Sequence, residues 1–142
     1  MTKPKKTKSK PRAKFAKPSL LGKTDAIAFL ATTDFAIAKA FFSGVLGLEL
    51  LNEDGFATVF DLNGIMLRVV KVHKVNVAPY TVLGWHVKNT PMIVKKLAEA
   101  GVKFEYYDGF EQDQHGIWTS PGGTRVAWFK DPHGNLLSVS DQ

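Results

Sequence analysis

The chain has 142 residues, 44% of them hydrophobic, which is enough for one domain with its own core, and it has no cysteine, which removes disulfides, thiolate catalysis and zinc–thiolate sites. Its formal charge of +6 is uneven: nine of the 19 Lys and Arg and none of the 13 acids lie in Met1–Lys23, so residues 24–142 are net acidic by about three charges. No apolar run is long enough to span a bilayer and none has the form of a secretory signal, so a cytoplasmic chain without a transmembrane segment is expected.

Residues 1–23 open with a Lys/Pro run, Met1 to Pro18, too poor in apolar side chains to offset the entropy of being ordered, and a disordered basic tail is expected. Clustered lysines neutralise phosphates, so nucleic acid or an anionic surface is one partner for this tail. A solvated tail that binds nothing is the other reading, and the lack of aromatic residues beyond Phe15 favours it.

The domain proper is expected over residues 24–142. A short apolar strand, AIAFLATT, begins at Ala26, and Phe35, Ala38, Phe41, Phe42 and Val45 then recur at helical spacing. Thr33 or Asp34 can cap that helix and Gly47 can close it. Strands are expected at Leu48–Asn52, at Phe56–Leu62 and, after the turn Asn63-Gly64, at Ile65–Val72. The first module, about residues 24–75, therefore reads βαβββ.

After a linker at His73–Pro79 the order recurs over about residues 80–142. A strand at Thr81–Val87 precedes a helix at Pro91–Ala100, with Thr90 as its cap, an inner stripe of Ile93, Val94, Leu97 and Ala98, and Gly101 after its end. Strands follow at Lys103–Tyr107, Ile117–Ser120 and Thr124–Phe129, with a polar loop at Asp108–Gly116 and a turn at Pro121-Gly122-Gly123. In the closing turn, Lys130 to Asn135, Pro132 fixes one backbone angle, Gly134 accepts a positive one, and the Asp131 side chain caps backbone donors. The last strand, Leu136–Ser140, alternates: Leu137 and Val139 face a dry side, and Leu136, Ser138 and Ser140 face a mixed one. Gly47 matches Gly101, and Asn63-Gly64 matches His133-Gly134, so the chain reads as an internal repeat of two βαβββ units, the second with one strand segment more than the pattern needs. Each unit has a helix on one sheet face, and pairing the two sheets would enclose a cleft.

The segments AFFSGVLGLELL (Ala40 to Leu51), LAEAGVKF (Leu97 to Phe104) and WFKDPHGNLLSVSD (Trp128 to Asp141) resemble the vicinal oxygen chelate superfamily of glyoxalase I, extradiol dioxygenases and bleomycin resistance proteins. The resemblance covers about residues 24–142. It implies an α+β fold in which paired βαβββ modules form a curved mixed sheet around a cleft, commonly in a homodimer. It also implies metal ligands at the first and last strand of each module. Those positions fall here at about Ile27 (Ala26 or Ala28 in a shifted register), Arg68, Val82 and Ser138. Divalent ions need converging His, Asp, Glu or Cys donors, and a guanidinium repels them. No metal and no other cofactor is therefore expected. His73 in the linker, His115 in the loop and His133 in the turn are poor material for a relocated site.

Arg68, His86, Trp118 and Ser138 are the candidate ligand-binding residues, and no catalytic residue is assigned. Arg68 shares a strand face with Met66 and Val70, where it reads as a carboxylate or phosphate anchor or as a structural partner of Asp61 or Glu105. His86 shares a face with Val82 and Gly84, and can contact a ligand, act as a base, or be a strand-end histidine satisfied by water. Trp118, before the Pro-Gly-Gly turn, is a flat wall for a ligand. Arg125 reads as a cross-strand charge. The leading expectation is a metal-free cleft that binds a small, partly apolar and anionic molecule, as the bleomycin resistance resemblance implies. The alternatives are a lyase, isomerase or dioxygenase with relocated metal or His86 acid/base chemistry, and a dimeric scaffold with a nucleic-acid-binding tail.

Overall fold

The computed structural model describes residues 19–141. The basic-tail expectation for residues 1–18 lies outside the described residues. Residues 19–24 make a tight turn in which Gly22 N donates to Ser19 Oγ (2.6 Å) and Thr24 N to the Leu21 carbonyl (3.1 Å).

The first module contains β1 (Ile27–Thr32), α1 (Phe35–Lys39), a π-helical turn (Ala40–Val45), β2 (Leu50–Glu53), β3 (Ala57–Leu62) and β4 (Ile65–Lys71). The second contains β5 (Thr81–His86), α2 (Thr90–Glu99), β6 (Trp118–Thr119), β7 (Arg125–Lys130) and β8 (Leu136–Asp141). Each forms a four-stranded sheet, in the orders β1-β4-β3-β2 and β5-β8-β7-β6. In both sheets the first and last strands of the module pair in parallel and the remaining neighbours are antiparallel. The α+β fold of two βαβββ modules is thus the observed one.

Strand alternation decides what each sheet buries. Leu30, Phe60, Leu67 and Val69 point from the first sheet toward Ala38, Phe41 and Phe42, while Ala127, Phe129, Leu137 and Val139 point from the second toward Val94. All of these belong to one continuous cluster, so the modules share a core. Each large side chain buried in it is worth about 1.5–3 kcal/mol. The π-helical turn, with Leu46 N donating to the Phe41 carbonyl (2.9 Å), accompanies the burial of the adjacent pair Phe41 and Phe42 against that core. A second tie between modules is polar: Thr32 Oγ1 lies 2.8 Å from His133 Nε2.

Of the two residues expected to cap α1, Asp34 is the one that does so, accepting from Ala36 N (2.8 Å), and that expectation holds. Several other local expectations shift. Asn89, not Thr90, caps α2, because its extended backbone lets its side chain accept from Met92 N (3.1 Å), and this puts Thr90 inside the helix. Lys103–Tyr107 is not a strand: only Phe104 bridges to Phe129, and the Gln112 side chain takes Tyr107 N (2.7 Å), diverting the backbone from the ladder. The strand expected at Ile117–Ser120 is reduced to Trp118–Thr119, since Pro121 cannot donate to a ladder. The closing turn follows expectation, with Asp131 Oδ1 accepting from His133 N (2.9 Å) and Asn135 N (2.9 Å). Gly134 there has φ +93°.

Candidate functional site

A helix covers one face of each sheet, so the site must be sought on the other. On the first sheet the face turned from the helix carries Ile27 and Phe29 of β1, Met66, Arg68 and Val70 of β4, and Asp61 of β3, with Ala57 and Val59 of β3 on the same side but buried; the cross-strand rows are Ile27–Met66–Asp61, Phe29–Arg68–Val59 and Ala31–Val70–Ala57. Phe29 is 60% exposed and Ile27 49%, which is unusual for apolar side chains on a regular strand. Among the described residues of this face Arg68 is the cation, with Phe29 and Val59 beside it in its row and Asp61 in the next. Its Nη2 lies 3.4 Å from Asp54 Oδ2, and not beside Asp61 or Glu105. The Phe56 and Ala57 amides, followed by Arg68, hold the Asp54 carboxyl below its ordinary range. Asp54 therefore stays charged and uses part of a guanidinium that has five donors.

On the second sheet the open-face rows are Gly84–Ser138–Trp128 and His86–Ser140–Val126–Trp118. Leu83, Trp85 and Val87 turn to the helix side, as alternation requires, leaving Val82, Gly84 and His86 outward. Among the described residues, neither the His86 ring nor the Ser138 hydroxyl has a hydrogen-bond partner. Gly84 has a definite reason: a Cβ there would stand 2.6 Å from Ser138 Oγ, so its missing side chain lets that hydroxyl lie flat across the sheet.

Of the four residues singled out from sequence, His86, Ser138 and Trp118 share this second open face, with Trp118 and His86 at opposite ends of one row. Arg68 is on the first sheet, which shares no ladder with the second among the described residues. Trp118 also lines a cavity of about 540 Å³ together with Gln112, Asp113 and Pro121. Arg125 is a cross-strand charge, its Nη2 2.8 Å from Asp141 Oδ2.

Sequence reasoning missed two aromatic rings. Phe110 stacks on Trp128 at 5.4 Å with 21° between planes and lies 4.9 Å from Trp118, while Tyr107 meets Trp128 edge-on at 5.7 Å. Burial, then the nearby Glu105 carboxylate, raises the Tyr107 hydroxyl pKa. Trp128 was within reach of period-two reading, since the dry positions Ala127 and Phe129 flank it. Phe110, in an irregular loop, left no such signal.

The donor set for a divalent ion is wrong in kind. Ile27 and Val82 have no ligating atom, Arg68 is cationic and Ser138 offers one neutral hydroxyl. The registers set Phe29 opposite Arg68 and Gly84 opposite Ser138, and neither Phe29 nor Gly84 supplies a donor. Among the described residues no three of His, Cys, Asp and Glu come together.

No protein-family model matches the chain, and no curated protein is significantly similar to it. Its fold does match solved structures. A member of the glyoxalase/bleomycin resistance protein/dioxygenase superfamily from Sphaerobacter thermophilus superposes with a TM-score of 0.64 at 18% identity, over 83% of this chain and 96% of the other. A glyoxalase/bleomycin resistance protein/dioxygenase from Alicyclobacillus acidocaldarius gives 0.61 at 16%, over 84% and 91%. Lactoylglutathione lyase from Agrobacterium tumefaciens gives 0.63 at 17%, over 84% and 93%. The chain has the glyoxalase/bleomycin resistance protein/dioxygenase fold, that of the vicinal oxygen chelate superfamily. At these identities the fold is what is shared.

Proposed function

We propose that this chain binds a small, partly apolar, anionic molecule on its open sheet faces, without a metal ion and as a homodimer. The observation that carries the reading is an outward sheet surface that exposes Ile27, Phe29 and Met66 beside Arg68 and Asp61 on the first sheet, and sets Trp118, Val126 and Trp128 beside His86, Ser138 and Ser140 on the second. Apolar area supplies affinity and the few polar atoms supply orientation. Trp118 is a wall of the same site. An anion at Arg68 shares the guanidinium with Asp54, whose 3.4 Å contact engages one nitrogen.

The dimer is supported by the same surface. Among the described residues β1 has a strand partner on one side only, and it adds the exposed Ile27 and Phe29 to its open face. A second copy that covers this strip removes both liabilities.

Native mass spectrometry of the chain purified from cells tests both parts. The expected species is twice the chain mass and carries a bound small molecule lost on collisional activation. A monomer that carries nothing would refute the reading.

A further inference from the structure

The side of the second sheet that faces α2 is not completely filled. Trp85 of β5 and Val139 of β8 stand opposite each other across the ladder, Phe129 of β7 stacks on the Trp85 indole at 6.4 Å with 19° between planes, and together they floor a cavity of about 200 Å³. One wall is α2, whose Ile93 and Leu97 share a helix face one turn apart. The other wall comes from the first module. There Leu46 and Leu48 are pinned by their amides, Leu46 N donating to the Phe41 carbonyl and Leu48 N to the Phe42 carbonyl, each at 2.9 Å. The floor residues Phe129 and Val139 are buried and the walls are partly exposed, so the cavity is open at its rim.

Its chemistry is uniform. The lining residues are Leu, Ile, Val, Phe and Trp alone, and their one polar side-chain atom is the Trp85 indole nitrogen. Water there lacks the two to four partners that hold an ordered water, so an apolar group that displaces it gains. A charged group would give up its hydration for a wall with no counter-charge. Size narrows the occupant further: an apolar cavity of about 150 Å³ accommodates benzene, whereas a peptide helix is about 10 Å across and does not enter.

We propose that this inter-module cavity is a second binding site, for one compact, uncharged, hydrocarbon-like molecule with about the bulk of a single ring. It is distinct from the open sheet faces, since Trp85 and Val139 point to the opposite side of the sheet from His86 and Ser138. The molecule touches Leu46 and Leu48 of one module and α2 of the other, so its binding tightens the join between them and the stability of the whole chain reports it.

The test uses the full chain and two probes of similar shape, toluene and benzoate, followed by methyl NMR of Leu48, Ile93 and Val139 and by thermal melting. Toluene is expected to shift these methyl signals saturably and to raise the melting midpoint as its concentration rises. Benzoate at equal concentration is expected to leave the signals in place. Ile93→Phe fills the cavity from the helix surface and should weaken toluene binding about tenfold. Leu48→Ala, in a partly exposed loop, removes a wall and should weaken it several-fold. Circular dichroism checks that both variants fold, and the loop variant carries the test if the helix variant does not. No saturable shift with toluene, equal affinity for the two probes, or unchanged toluene binding in the folded variants overturns the inference. Movement of the same methyl signals on dilution, or on removal of residues 1–18, also overturns it, because the cavity would then belong to a second copy or to the chain's own N-terminal segment. The open-face reading stands or falls separately.

Discussion

Two threonines with the same burial and opposite bonding make the sharpest test of the core. Thr58 on β3 and Thr32 on β1 are each 0% exposed. Thr58 lies between Glu53 and Val69 in its row, and its hydroxyl has no hydrogen-bond partner among the described residues. Thr32 Oγ1 donates to the Asp34 carbonyl (2.9 Å), accepts from Asp34 N (3.1 Å) and lies 2.8 Å from His133 Nε2. Its single proton goes to the carbonyl, so His133 must be the donor in that third contact. Valine preserves the branched shape in both cases. At Thr58 it removes a hydroxyl whose unpaired burial costs about 1–3 kcal/mol; allowing for imperfect fit of the new methyl, a gain of about 1 kcal/mol follows. For a domain this size that is about 4 °C in the melting midpoint. At Thr32 the same change strands the His133 donor and the Asp34 amide, and a loss of about 2 kcal/mol or more is expected. Urea titrations of both variants at neutral pH give the two values from the midpoint at unchanged slope. Shifts of the same sign, or a loss above about 1 kcal/mol for Thr58→Val, would refute the assignment of which hydroxyl is paired.

Other expectations are simpler. Asn89→Ala removes the α2 cap and should cost about 1 kcal/mol by the same titration, with Asn89→Asp close to neutral. Arg125, and after it the Thr90 amide, hold the Asp141 carboxyl well below the ordinary carboxylate range. The unfolded chain protonates this group near pH ~3.9 and the folded chain only at lower pH, so its contribution is complete above that value and is lost as the pH falls below it. Urea midpoints at pH 5 and pH 3 should therefore diverge less in Asp141→Asn than in the unmodified chain, and equal divergence would count against the pair. Phe29→Lys puts a charge into the exposed strip of β1 and is expected to convert the proposed dimer to monomer in light scattering; a persisting dimer would place the interface elsewhere.

Much of the fold could be read from residue order. The apolar run at β1, the helical spacing of Phe35 to Val45, the repeated glycines after each helix and the closing turn at Asp131 to Asn135 each impose a local backbone choice, and local choices are what a linear sequence records. The open and covered sides of β5 and β8 were also legible, because period-two alternation needs nothing beyond the strand itself. Where a side chain a few residues away competed for a backbone donor, reading stopped short: Gln112 withdrew Tyr107 from a strand, and Asn89 took the cap from Thr90.

The candidate site divides along the same line. The residue types at Ile27, Arg68, Val82 and Ser138 rule out a cation at those positions whatever the fold, since ligating atoms are a property of the side chain. That His86, Ser138 and Trp118 share one face while Arg68 stands on the other sheet, that Arg68 meets Asp54, and that Phe110 rests on Trp128 were decided only by tertiary structure. Those are contacts between residues from about 14 to more than 50 positions apart, and sequence spacing along a strand or helix carries no information about which distant surfaces packing will bring together.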